Sequence, residues 1–133
     1  MASALLAIQR AIFAKLSGDT ALMALVKGVF DDVPENQAFP YVVIGEATET
    51  PSNTFGRKGK DVTCTIHIWS QAKGNTEALT ILDRLNDLLD FEPLAVAGYE
   101  VIAVEYENAV TLREPDGVTR QVPVRYRVRV KES

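Results

Sequence analysis

The stretch Gln121–Lys131 reads Q-V-P-V-R-Y-R-V-R-V-K, and its alternation decides the fold class. Val122, Val124, Tyr126, Val128 and Val130 fall on one side, and Arg125, Arg127, Arg129 and Lys131 on the other. Period two over this length is a strand with one packed face. The opposite face holds four of the fourteen basic residues of a 133-residue chain whose formal charge is −4. An acidic neighbouring strand, a partner subunit, nucleic acid or water must meet that ladder.

The segment before it supplies a partner strand. Tyr99–Leu112 places Ile102, Val104, Tyr106, Val110 and Leu112 on one side and Glu105 and Glu107 on the other. The intervening Glu114-Pro115-Asp116-Gly117-Val118 suits a type I turn with a G1 bulge, because Pro115 presets φ and Gly117 tolerates the left-handed region. A three-residue loop sets Val104 opposite Val128 and Tyr106 opposite Tyr126, so the apolar faces agree. It also sets Glu105 against Arg127 and Glu107 against Arg125, each worth roughly 0.2–1 kcal/mol. Arg129 and Lys131 then face Ala103 and Val101 and are left for another strand or subunit.

Working outward, Asp61–Trp69 alternates Val62, Cys64, Ile66 and Ile68 with Thr63, Thr65, His67 and Trp69, a second strand with an amphipathic outer face. Tyr41–Ala47 reads as a short apolar strand, and Pro40 favours an extended Phe39. Thr48–Lys60, T-E-T-P-S-N-T-F-G-R-K-G-K, has the composition of a long loop, with Phe55 lacking local apolar company. Leu5, Ile8, Ile12 and Leu16 give a first helix with one packed face, with Ser3 as its expected cap. Asp19 or Ser17 caps a short second helix ending near Gly28. A third runs from about Asn75 to Leu89, with Ala78, Ile81, Leu82, Leu85, Leu88 and Leu89 as its apolar stripe. The expectation is an α+β fold: an antiparallel or mixed sheet of about four to five strands, helices packed mainly on one face. Residues 1–133 form one domain, with a long loop at 48–60.

Composition narrows the function classes. Hydrophobic residues at 47% and charged residues at 24% suit a globular domain that buries its own core without metal or disulfide. Cys64 is the only cysteine, and its place on an apolar strand face favours a packed thiol over a nucleophile. No run of eighteen apolar residues exists, so no membrane partner is expected. Mild acidity argues against general nucleic-acid binding. His67 is the only histidine and has no carboxylate at a local spacing that would orient it. The acids show no metal-ligand spacing, so no cofactor or metal is expected. Gly56-Arg57-Lys58-Gly59-Lys60 lacks the Walker spacing and precedes a strand, which leaves it a basic loop.

The order of these pieces is similar to a known family. A-I-F-A-K-L-S-G-D-T-A-L leads into G-V-F-D-D-V-P; F-P-Y-V-V-I-G follows at Phe39–Gly45, then I-H-I-W-S-Q-A-K-G at Ile66–Gly74, a leucine-rich helix and the E-P-D-G strand pair. The chain thus resembles, over nearly its whole length, the tail completion or tail terminator proteins of long-tailed phages and gene transfer agents. The resemblance implies a non-enzymatic α+β virion protein of the tail, assembled in the bacterial host cytoplasm. It implies a homo-oligomer, typically a hexameric ring, that caps the head-proximal end of the tail tube, ends its polymerisation and offers a surface for head–tail joining. The partners so implied are copies of itself, the tail tube protein and a head connector or head completion protein. The matching positions are Pro34, Phe39, Pro40, Tyr41, His67, Trp69 and Gly74, with roles in local geometry and packing. The residues themselves add Phe55, Arg57, Lys58 and Lys60 of the loop, and Arg129 and Lys131, as assembly-surface candidates. A small protein- or nucleic-acid-binding module without catalytic activity is the alternative, and an enzyme acting through His67 a third class.

Overall fold

A computed structural model describes residues 3–133. Three helices, α1 (Leu5–Ser17), α2 (Thr20–Leu25) and α3 (Thr76–Leu89), accompany six strands: β1 (Val29–Phe30), β2 (Tyr41–Pro51), β3 (Gly59–Ser70), β4 (Tyr99–Ala109), β5 (Leu112–Arg113) and β6 (Arg120–Glu132). They form one mixed sheet in the order β1-β2-β3-β6-β4, with β5 also on β6. Only β1 and β2 run parallel. The α+β expectation holds, and the strands beyond the expected four to five are the two-residue β1 and β5.

The decisive strand sits at the centre, β6 between β3 and β4. Val122, Val124, Tyr126, Val128 and Val130 are all buried, as are Val62, Cys64, Ile66 and Ile68 of β3. They meet Ile8, Ile12 and Leu16 of α1, Leu22 of α2, and Ala78, Ile81, Leu85 and Leu89 of α3 in one apolar cluster. Tyr126 lies fully buried, its hydroxyl donating 2.7 Å to Asn86 Oδ1. Burial in this cluster drives the assembly of helices on a single sheet face, at roughly 25 cal/mol per Å² of apolar surface. The opposite sheet face carries the residues that alternate with these.

Helix starts differ in how local they are. Asp19 caps α2 as expected, its Oδ2 accepting from Leu22 N at 2.8 Å. At α1 the cap position is Ala4, and Ser3 Oγ accepts from Leu5 N at 3.1 Å. The Ala4 N–H instead donates 2.8 Å to Glu49 Oε2, a carboxylate delivered by β2. A negative charge there also complements the helix dipole. Ala4 is buried and Leu5 half exposed, so the packed face of α1 is Ala4, Ile8, Ile12 and Leu16 rather than one beginning at Leu5.

The β4–β6 register is as expected at its middle and not at its ends. Val104 faces Val128, Glu105 faces Arg127, and Tyr106 faces Tyr126. The turn, however, is one residue longer than the three-residue form, with Glu114 N–H donating 2.9 Å to Thr119 O. An irregularity at Glu107 absorbs the extra residue, so Arg125 faces Asn108 instead. A second, at Ile102, sets Lys131 against Glu100 rather than Val101. These bulges re-aim β4. Tyr99, Val101, Val104, Tyr106 and Ala109 pack on the core, whereas Ile102, Val110 and Leu112, expected inward, are exposed.

The expected loop at 48–60 is strand at both of its ends. β2 continues to Pro51 and β3 begins at Gly59, leaving 52–58 as the connection. The composition misleads because this end of β2 lies at the sheet edge. Its residues pair on one side only and stay largely exposed, so no apolar alternation marks them.

Candidate functional site

The sequence-derived candidates sort to two ends of the sheet. At one end Tyr41 faces Trp69 across β2 and β3. Their rings stack at 6.5 Å between centroids, and Tyr41 also meets Phe39 at 5.0 Å and Phe30 at 6.1 Å. Pro40 leads into this cluster through a cis peptide, and its carbonyl accepts from Lys27 N at 2.7 Å. Phe39, Pro40, Tyr41 and Trp69 are thus brought together, half-buried. Pro34 and Gly74 stand apart in exposed connections; Gly74 has φ +75°, which suits a glycine at a turn.

His67 lies beside this cluster on the outer sheet face, two residues before Trp69. A long-range carboxylate orients it after all: Glu46 Oε1 lies 2.9 Å from Nε2. Gln121 Nε2 lies 2.6 Å from Nδ1. With the amide donating to Nδ1, the ring donates through Nε2 to Glu46. The hydrogen bond to His67 holds the Glu46 carboxyl below the usual range. Gly45 makes room for the ring, since a Cβ there would stand 2.6 Å from His67 Cδ2. The irregularity of β2 between Ile44 and Ala47 aims Glu46 at the ring, and no spacing in the sequence announces it.

The other end of the sheet carries the charges. Arg127 forks onto Asp61 of β3, with Nε 2.9 Å from Oδ1 and 3.1 Å from Oδ2, and a further bond from its NH2 group to Oδ2. That pairing holds Asp61 below the usual carboxylate range and raises Arg127. Glu105, displaced from Arg127 although it faces it, takes Arg129 instead. Lys131 and Arg57 share Glu100, at 4.0 and 3.3 Å, and Lys60 lies 4.0 Å from Glu49. Arg129 and Lys131, expected to lack partners, therefore have them. Arg125, expected to pair with Glu107, is exposed and makes no ion pair among the described residues, because the bulge turns Glu107 away. Asp61, Glu100 and Glu46 are the partners of these candidate residues that sequence reasoning missed.

Beyond the charges, β2 and β3 run out as an arm. Thr54 and Arg57 exchange backbone bonds of 2.9 and 3.0 Å around Phe55-Gly56, with Gly56 at φ +83°. The stem is tied down. Lys58 O accepts from Glu132 N at 2.9 Å, and Arg57 also bonds the Glu132 carbonyl. Gly59 is buried, and a Cβ on it would stand 2.4 Å from Ser52 O and 2.9 Å from Val130 O. Phe55 is 108% exposed at the tip, and the bonds of Lys58 among the described residues are made by its backbone, to Glu132.

Cys64 is buried, which pushes its thiol up to about 12. No group of three or more His, Cys, Asp and Glu residues among those described is placed to hold a metal. No described helix is long and apolar enough to cross a membrane.

Comparison with known proteins gives the same picture over almost the entire chain. Residues 10–131 match the family model described as tail completion protein gp17. The tail completion protein gp17 of Bacillus phage SPP1 is 28% identical over 127 residues, spanning 96% of this chain and 94% of the relative. A solved structure of bacteriophage SPP1 gp17 covers 92% of the chain and 87% of its own, with a TM-score of 0.63 and 27% identity. A chain in the virion of a native gene transfer agent particle shares the fold with a TM-score of 0.90, at 23% identity, over 98% of this chain and 99% of that one.

Proposed function

We propose, from the premise that this chain belongs to the tail completion protein gp17 family, that it is a structural virion protein of the tail. In this reading it caps the head-proximal end of the tail tube, ends tube polymerisation and forms the head–tail joining surface. The observation that carries the proposal is the family match across residues 10–131. The working form is a hexameric ring of copies of the chain, in contact with the tail tube protein on one side and a head connector or completion protein on the other. Assembly takes place in the bacterial host cytoplasm. A ring of this kind needs a heterologous contact that closes on itself. The aromatic end of the sheet and the Phe55 arm are two separate surfaces that suit such an assembly.

The proposed role is not catalytic. Both His67 nitrogens are engaged by Glu46 and Gln121, and the single thiol is buried. The alternative of nucleic-acid binding is weakened by the ion pairs, which neutralise Arg127, Arg129 and Lys131 within the chain. Native mass spectrometry of the chain, alone and with tail tube protein, tests the proposal. The expected result is a closed multiple of the chain, bound to tubes that stop growing. A monomer that leaves tube length unchanged overturns it. Steeply salt-dependent DNA binding would favour the alternative.

A further inference from the structure

Two features of the surface are unused by the fold and complementary to each other. The first is the arm tip, with Phe55 fully exposed and an exposed Lys58 beside it. Its stem is anchored by the Thr54–Arg57 bridge, the Arg57–Glu100 pair and the Lys58–Glu132 backbone bond, so the aromatic ring is held out on an ordered support. The ring offers apolar area that another surface can bury. The second is a groove of about 310 Å³ between α1 and the β1–β2 edge, lined by Leu6, Gln9, Arg10, Phe13, Asp31 and Ile44. Leu6 and Phe13 are 56% and 41% exposed, although both lie on a helix whose core face is filled by Ala4, Ile8, Ile12 and Leu16. Asp31 at the groove and its neighbour Asp32 are exposed acids with no ion pair among the described residues.

We propose that the Phe55 tip of one copy of this chain inserts into the Leu6–Phe13–Ile44 groove of the next copy, with Lys58 meeting the Asp31–Asp32 acids. This deepens the assembly function proposed above and rests on it. Charge complementarity selects the occupant: a basic tip with one aromatic knob fits an apolar groove lined by the unpaired Asp31, with the exposed Asp32 next to it in the chain. Arg10 also lines the groove, on the helix side, so the lining itself carries one charge of each sign, and the second acid, Asp32, is the next residue along the chain from Asp31. The contact has to join separate copies. β2 leads away from Ile44 through Pro51 to the tip, which sets tip and groove of one chain on the order of 25 Å apart at about 3.3 Å per strand residue. A knob and hole on different patches make a heterologous contact, which repeats from copy to copy and closes into a ring when the rotation allows.

Cross-linking tests the contact directly. A full-length chain carrying Phe55→Cys and Phe13→Cys is oxidised under conditions where the unmodified chain assembles, with tail tube protein present, and run on a non-reducing gel. Cys64 stays in place, because it is buried. A ladder of covalent multimers extending beyond a dimer, absent from either single variant, is the expected result. In parallel, Phe55→Ala should raise the concentration needed for assembly roughly tenfold to a hundredfold, with an unchanged circular dichroism spectrum. Rings of normal mass with no ladder, or with Phe55→Ala assembling like the unmodified chain, overturn this contact and leave the assembly function standing. Loss of tube binding by Phe55→Ala with intact rings also overturns it and assigns the tip to the tail tube protein. An unmodified chain that neither multimerises nor binds tubes contradicts the assembly function and the contact together.

Discussion

The molecule has two prominent hairpin turns, and they use similar turn chemistry for opposite ends. Each has a glycine at positive φ, Gly56 at +83° and Gly117 at +73°. In the Glu114–Thr119 turn the polar groups close inward: Asp116 Oδ1 accepts from Val118 N and Thr119 N, both at 2.8 Å, and Oδ2 from Thr119 Oγ1 at 2.6 Å. That turn serves chain reversal and satisfies its own backbone. The Thr54–Arg57 turn is fastened at its stem to β6 and β4, and its tip places an aromatic residue in solvent. The difference separates a turn that closes on its own polar groups from one that leaves its tip uncovered.

The largest expected effect is at the stem of the arm. Gly59→Ala forces a Cβ against the Ser52 and Val130 carbonyls, and should lower folding stability by roughly 1–3 kcal/mol in urea denaturation. Little change there would mean that the stem is looser than its backbone bonds imply. Next, Asp116→Ala should cost about 1 kcal/mol in a thermal melt, because two backbone donors lose their acceptor, and should leave assembly untouched. Its carboxyl is held below the usual range by the Thr119 and Val118 bonds. A depressed pKa stabilises the fold above the unfolded-state value, and that contribution is lost as pH falls through the folded-state value. The Asp116→Ala protein should therefore lose less stability on acidification than the unmodified chain, with the remaining acid sensitivity coming from Asp19, Asp61 and Glu46.

A smaller contrast lies within the basic ladder. Arg127→Gln should destabilise by about 0.2–1 kcal/mol, since it gives up the forked bond to Asp61, whereas Arg125→Gln should be neutral. Equal effects would contradict the displaced pairing. The smallest folding effect belongs to Phe55→Ala, expected within about 0.5 kcal/mol of the unmodified chain although the same change should weaken assembly. A large loss of stability on that change would place the ring in the fold rather than at a contact.

Period-two alternation made β3 and β6 legible in the sequence, and helical spacing did the same for the three helices. Matching apolar faces fixed the centre of the β4–β6 pairing. What the sequence concealed depended on single-residue irregularities and distant partners. The bulges at Ile102 and Glu107 moved Arg125 and Lys131 to new neighbours, and no local pattern distinguishes a bulged residue from a regular one. Arg127 chose Asp61 on the strand to its other side because the geometry there admits a fork. Glu49 reaches the α1 start and Glu46 reaches His67 only once β2 is in place. The outer half of β2 looked like loop because an edge strand in water needs no apolar alternation. Among the candidate residues, Phe39, Pro40, Tyr41 and Trp69 were singled out one by one through the resemblance, and nothing local brought them into one cluster; the groove of Leu6, Phe13 and Ile44 had no signal beyond an α1 with more apolar residues than one face requires.

The central claim is that this chain acts at one end of the tail tube. The most direct measurement is electron microscopy of tail tube protein polymerised with and without gold-labelled chain. The account predicts one gold cluster at a single end of each tube and a tube length that stops increasing once the label is bound. Label spread along the tube, or tubes that grow equally with and without the chain, would contradict it.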